Sequence, residues 1–313
     1  MRILITESED FSPNAIAELQ KHFEVVQRDF TSLEDLTENI AEVDVLFVRL
    51  RFKLTQEILE KAPQLKYILT ATTGLDHIDT DYFESRGGKV ISLKGEVEFL
   101  GSIPSTAEHT WALLMALLKK IPSAFEDVKE GNWYRDHFKG NNLRGKKIGI
   151  LGLGRVGKQV AHFAEAFGLE IGYFDIVSQT NKYKSFSNPE DLFAWAEIIS
   201  IHIPYNIENE NFVNEELLEH CQKNAVLINT SRGNVWDENR VAELLKQNKI
   251  FGIATDVLQD EFNKKQLIRN PLVELATEEY NIIITPHIAG ATYESMAMTE
   301  EFIVFQFLKT TTS

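Results

Sequence analysis

Short apolar runs alternate along this chain with stretches in which apolar residues recur every three or four positions. Ile3–Thr6, Val43–Val48, Lys66–Ala71 and Lys89–Ser92 are rich in Ile, Leu and Val and read as strands. Between them, Asn14–His22 and Thr55–Lys61 read as helices. Strands joined by helices predict a parallel sheet covered by helices. A second series follows. Lys147–Leu151, Glu170–Phe174, Ile198–His202, Ala225–Asn229, Phe251–Thr255 and Asn281–Thr285 read as strands, with helices at Lys158–Phe167, Asn214–His220 and Glu238–Gln247. Two such series predict an α/β protein of two doubly wound parallel-sheet domains.

The joint falls near residues 95–105, where Gly95, Gly101 and Pro104 interrupt the pattern. Ser105 and Glu108 then stand at capping-box spacing before the apolar run Trp111–Leu118, which predicts a long helix. Past His287, the segment Thr292–Leu308 is amphipathic.

Composition narrows the function classes. The 313 residues suit two domains, and 43% hydrophobic with 25% charged excludes a disordered chain. No apolar run reaches the ~18 residues needed to span a bilayer. The opening MRILITESED carries one Arg before turning acidic, so neither signal nor transit peptide is expected. Acidic residues number 47 against 32 basic, a net charge of −15, which repels nucleic acid and anionic membranes; neither is an expected partner. The single cysteine, Cys221, precludes an intrachain disulfide and reads as a small buried filler. No metal site is expected, and the cysteine usage suits a reducing, cytoplasmic setting.

The most informative stretch is an apolar strand running into Gly152-Leu-Gly154-Arg-Val-Gly157 with a helical pattern directly behind it. In strand–loop–helix context this spacing reads as a dinucleotide loop. Gly152 permits the tight turn, Gly154 lets the backbone approach a pyrophosphate, and Gly157 lets the helix pack on the strand. The helix N-terminus turns free N–H groups and a partial positive charge toward the anion. Asp175, eighteen residues after Gly157, ends the next strand, where a carboxylate meets ribose hydroxyls and repels a 2′-phosphate; NAD is the expected cofactor.

Three further segments place polar residues at strand ends, where ligands of open α/β sheets bind. They are Asn229-Thr-Ser-Arg232-Gly233, Asp256-Val-Leu-Gln-Asp-Glu261 and Thr285-Pro-His287. With Gly74-Leu-Asp-His-Ile-Asp79 and Thr106-Ala-Glu108 upstream, the ordered set resembles the D-isomer-specific 2-hydroxyacid dehydrogenase family across nearly the whole chain. The likeness is to the D-3-phosphoglycerate dehydrogenases in a short form without their regulatory domain, so control by serine through such a domain is not expected.

The residue types suit that chemistry. Arg232 offers a planar, permanently charged fork for the carboxylate and carbonyl of a 2-keto acid. His287, with its ordinary pKa near neutrality, suits the acid that protonates the nascent alkoxide, and Glu261 would favour the imidazolium and orient the ring. The resemblance implies a dinucleotide site lined by Arg155, Val156, Thr230, Ser231, Ala289, Gly290 and Thr106, with Asp256 on the nicotinamide carboxamide side. It implies that the backbone of Thr73, Gly74 and Leu75 holds the substrate carboxylate. Asp79 and His77 read as structural.

The pattern departs from the family in two places. The stretch Ile91–Pro104 lacks the usual Asn-x-Pro turn and is longer, so it is expected near the cleft, with consequences for substrate shape. Arg49 and Arg51 sit at a strand end where cations of phosphoglycerate-type members face the substrate, which keeps 3-phosphoglycerate as a candidate. The expected substrate domain is residues 1–100 plus 288–313, flavodoxin-like, with the Rossmann nucleotide domain, 101–287, inserted in it and a cleft that closes over the acid. The resemblance also implies a homodimer built through the nucleotide domain. Two competing readings are a formate-type dehydrogenase, which lacks the acid–histidine pair, and an NAD-sensing protein similar to the family's corepressors, which keeps the same residues.

Overall fold

The apolar runs of the first hundred residues form five strands: β1 (Arg2–Ile5), β2 (Glu24–Gln27), β3 (Val45–Val48), β4 (Tyr67–Thr70) and β5 (Lys89–Ile91). The structure is a computed structural model that describes residues 1–177, 182–278 and 280–311. The strands pair in parallel in the order β2-β1-β3-β4-β5, the flavodoxin-like arrangement. Ile3, Ile5, Val45, Phe47 and Leu69 face one core; Leu4, Leu46, Val48 and Ile68 face another. Both faces of the sheet are covered, so these strands are apolar on consecutive residues. β2 is absent from the sequence reading because two valines between Glu24 and Gln27 make too short a signal for this edge strand.

The terminal helix Tyr293–Thr311 returns to this sheet, burying Ile303, Val304 and Phe307. It also explains the long stretch before the joint. Leu93, Leu100 and Ile103 are buried in the same core, Val97–Gly101 forms a short helix, and Phe99 stacks on Phe302 at 3.9 Å. This segment is a packing element of the first unit, because its apolar residues meet an apolar helix face.

The second series gives β6 (Lys147–Leu151), β7 (Glu170–Phe174), β8 (Lys184–Ser185), β9 (Ile198–Ile201), β10 (Ala225–Asn229), β11 (Ile250–Thr255) and β12 (Ile282–Ile284). They form one parallel sheet in the order β12-β11-β10-β9-β6-β7-β8. Strand order reverses between β6 and β9, the switch point beside which ligands of such sheets bind. One unit is Met1–Ile103 with the chain from Ala291; the other is Pro104–Gly290. Both crossings fall three residues later than expected, since Ile103 belongs to the first core and the amide of Ala289 is bonded to Asp256 of the second unit. The capping box does not form. Pro104 occupies the cap of the helix Ser105–Leu118, its carbonyl accepts the Glu108 N–H at 3.0 Å, and Ser105 is buried inside the helix.

Candidate active site

At the end of β6 the chain turns through Gly152 with φ +92, a backbone that L side chains rarely adopt. A Cβ at Gly157 would lie 2.2 Å from the Gly152 carbonyl oxygen, so only glycine lets the helix Arg155–Ala166 begin there. A Cβ at Gly154 would meet nothing within 4 Å, and this exposed backbone faces open space where a pyrophosphate would approach. Arg155 opens the helix half-buried, its pKa lowered by burial, and among the described residues it makes no hydrogen bond or ion pair. A desolvated guanidinium at a helix N-terminus fits a phosphate anion. Asp175, beyond β7, accepts the Leu153 N–H at 2.7 Å and so stands at the loop. His202, beyond β9, has its carbonyl oxygen 2.9 Å from where a Gly152 Cβ would stand. Its Nε2 lies 2.7 Å from Ser200 Oγ, and burial pushes its pKa down to about 3, so the ring is neutral.

The turn after β10 is built by Asn229, which is fully buried. Its Oδ1 accepts the N–H and Oγ–H of Ser231, and its Nδ2 donates to the Arg232 carbonyl at 2.9 Å. This fixes the backbone from which Arg232 projects, half-buried, with Nη1 donating to Ser231 O at 2.8 Å. Thr230 meets Thr110 through their hydroxyls at 2.8 Å, linking the turn to the helix that carries Thr106. Gly233 then passes against the next strand-end segment so closely that a Cβ would lie 2.1 Å from Leu258 C.

That segment begins at Asp256, beyond β11. The Asp256 carboxylate is fully buried and accepts from Thr285 Oγ–H, the Ile288 N–H at 2.9 Å and the Ala289 N–H at 2.7 Å. His109 Nε2 stands 3.4 Å from it and 2.9 Å from Thr285 Oγ. Burial alone would raise the pKa of Asp256; His109, Thr285 and the two amides hold it below the usual carboxylate range. The Asp256 backbone carbonyl takes the His287 N–H at 2.8 Å. His287 itself has φ +55, a left-handed backbone costing roughly 1–2 kcal/mol for a residue with a Cβ. Asp256 thus pins both flanks of a strained turn. At its apex His287 Nδ1 lies 2.6 Å from Glu261 Oε1, each side chain about a fifth exposed.

Arg232, Glu261 and His287 therefore all rise from neighbouring turns at the C-terminal edge of the second unit's sheet, on β10, β11 and β12. Residues 111–289 match the family model described as "D-isomer specific 2-hydroxyacid dehydrogenase, NAD binding domain". The chain belongs to the D-isomer specific 2-hydroxyacid dehydrogenase family. It is 33% identical to the D-3-phosphoglycerate dehydrogenase of Methanocaldococcus jannaschii over 99% of this chain and 57% of that protein. The chain thus spans little more than half the length of that relative. It is 33% identical to the hydroxypyruvate reductase of Thermotoga maritima over 84% of this chain and 83% of that one. The solved D-lactate dehydrogenase from Aquifex aeolicus, complexed with NAD and lactic acid, matches with a TM-score of 0.82 at 30% identity, covering 98% and 96% of the two chains.

Within this dehydrogenase family member, the first unit treats the expected substrate residues unequally. Thr73, Gly74 and Leu75 follow β4, where the Thr72 hydroxyl donates to the Gly74 carbonyl at 2.9 Å. Arg49 and Arg51 are committed elsewhere. Arg49 Nε and Nη2 grip Glu300 at 2.9 and 2.6 Å, and its Nη1 takes the Glu9 carbonyl. Arg51 Nη1 bonds Asp29 and the Phe30 carbonyl. Glu7, nearly buried at the first sheet's own switch point, accepts both of their backbone N–H groups. Both arginines thus carry carboxylate partners, Glu300 for Arg49 and Asp29 for Arg51. Asp79 caps the helix Thr80–Ser85 and His77 is buried, as structural residues. Cys221 is only partly buried at the edge of the core, its thiol pushed up to about 12 by burial. His109 carries no sequence signal for the contacts it makes; only the fold brings it from a distant helix to Asp256.

Proposed function

We propose that this chain is an NAD-dependent oxidoreductase interconverting a D-2-hydroxy acid and its 2-keto acid. The observation that carries the reading is the 2.6 Å contact of His287 Nδ1 with Glu261, on the strand edge that also carries Arg232. With Nδ1 on the carboxylate, Nε2 is the nitrogen left to face a substrate. In the reductive direction imidazolium His287 gives its Nε2 proton to the forming alkoxide, and Glu261 stabilises the charged ring until then. Arg232 holds the acid and polarises its carbonyl, and we assign a carboxylate-binding role to the backbone of Thr73–Leu75 in the first unit. Arg155, Val156 and the glycine loop would hold the pyrophosphate of NAD, Asp175 its ribose, and Thr106, Thr230, Ser231, Asp256, Ala289 and Gly290 the nicotinamide half; bound NADH supplies the hydride. In the oxidative direction neutral His287 takes the hydroxyl proton.

The test is NADH oxidation at 340 nm across a panel of 2-keto acids, with oxidation of D-2-hydroxy acids, 3-phosphoglycerate among them, followed in reverse. Activity is expected on at least one acid. His287→Ala is expected to lower kcat about 10²–10⁴-fold, and Arg232→Ala to abolish saturable turnover. Tight NADH binding without turnover on any acid would sink the enzyme reading and favour the corepressor-like sensor.

A further inference from the structure

Glu238 is a buried carboxylate that the chemistry above leaves unused. It opens the helix Glu238–Lys246 and is 2% exposed. One oxygen accepts the backbone N–H of Gln259 at 2.8 Å; the other accepts Nδ2–H of Asn270, itself nearly buried. Among the described residues no cation pairs with it, and Asp260 adds a like charge nearby. Burial pushes its pKa up to about 7, although the Gln259 amide and the Asn270 side chain pull the other way.

The placement of those donors gives the residue its meaning. Gln259 lies two residues before Glu261, in the segment that Gly233 presses from the Arg232 side. The Leu258 N–H turns toward Glu261 Oε2 at 3.3 Å, and the Gln259 side chain reaches the Trp236 carbonyl at 3.0 Å. The turn ending on Glu261 is thus gripped at its backbone by one carboxylate to which the Gln259 amide and the Asn270 side chain donate, and whose charged form the Trp236 side chain also favours. A glutamine at 238 offers one acceptor and one donor, so it keeps Gln259 or Asn270 but opposes the other.

We propose that Glu238 is a positioning residue: its carboxylate anchors the Leu258–Gln259 turn and thereby holds Glu261 against His287. The proposal rests on the reading of His287 and Glu261 as the acid/base pair and deepens it. The experiment follows the His287 ring by NMR as pH is varied in the free protein, its resonance identified by loss in His287→Ala. Glu261→Gln is expected to move the His287 titration to lower pH. Glu238→Gln is expected to move it in the same direction by less, and the double variant no further than Glu261→Gln alone, since the anchor acts only through Glu261. An unmoved His287 in Glu238→Gln, or shifts that simply add in the double variant, overturns the proposal. Should Glu238→Gln fail to fold, Asn270→Ala decides instead: it withdraws the donor from Glu238 at the cost of the cap on the Leu272 N–H, and the same downward shift is expected. The titration needs neither cofactor nor substrate. Absence of turnover in the unmodified protein would therefore defeat the dehydrogenase reading without touching the anchor, and an unmoved His287 would defeat only the anchor.

Discussion

His287 occupies a backbone conformation that disfavours any side chain, and its imidazole meets a carboxylate only because two loops converge. The charge balance of that pair sets the first prediction. An ionised Glu261 would favour the imidazolium that donates the proton. Glu261→Gln removes the favour, and the upper limb of the reductive pH profile should move to the acid side. An unchanged limb would show that Glu261 does not tune His287. Asp175 carries a second prediction. Its carboxylate stands beside the glycine loop, and a 2′-phosphate brought near it is opposed by about 1 kcal/mol or more. NADH should outcompete NADPH, and Asp175→Ala should narrow the gap by several-fold. Equal affinities in the unmodified protein would defeat the charge argument.

Turns rather than strands decide the site at the element scale. Gly233 is the point where the Arg232 turn and the Glu261 turn touch, backbone to backbone. Alanine there cannot be absorbed by a rotamer change, because the obstructing atoms are Leu258 C and O and Gln259 N. Gly233→Ala should destabilise the protein by about 1–3 kcal/mol, as overpacking does, and lower kcat more than it raises the KM for NADH. Chemical unfolding and initial-rate kinetics measure the two effects; a variant with unchanged kcat would uncouple the turns from the chemistry. Elements also show what was legible beforehand. The central strands of both sheets are readable as apolar runs, since burial on both faces leaves no polar alternation to confuse them. The edge strands β2 and β8 are not, because β2 has only two apolar residues and β8, Lys184–Ser185, has none. The Ser105–Glu108 spacing misleads, since a proline carbonyl takes the N–H that a capping side chain would have accepted.

At the scale of the whole molecule, one helix carries bare apolar side chains. The helix Ile121–Lys129 has no buried residue, although Ile121, Phe125 and Val128 lie on it, and Trp133 behind it is 83% exposed. Ile121, Phe125 and Val128 lie bare on one helix face, which suits an interaction surface, and the homodimer that the resemblance implies is tested there. Sedimentation should find a dimer that Phe125→Glu with Trp133→Ser converts to monomer; a monomeric unmodified protein would refute the assembly. The chain's own sequence determined the two parallel sheets, the dinucleotide loop and the identities of Arg232, Glu261 and His287, because backbone turns and apolar burial leave local marks in residue type and spacing. Tertiary structure alone decided that Arg49 is paired with the buried Glu300 and Arg51 with Asp29, that Leu93, Leu100 and Ile103 are core, that His109 supports Asp256 and that Glu238 grips the turn behind Glu261. A charged side chain's role depends on which partner lies within a few ångströms, and that partner stands up to some 250 positions away in the chain, as Glu300 does from Arg49, where no local pattern records it.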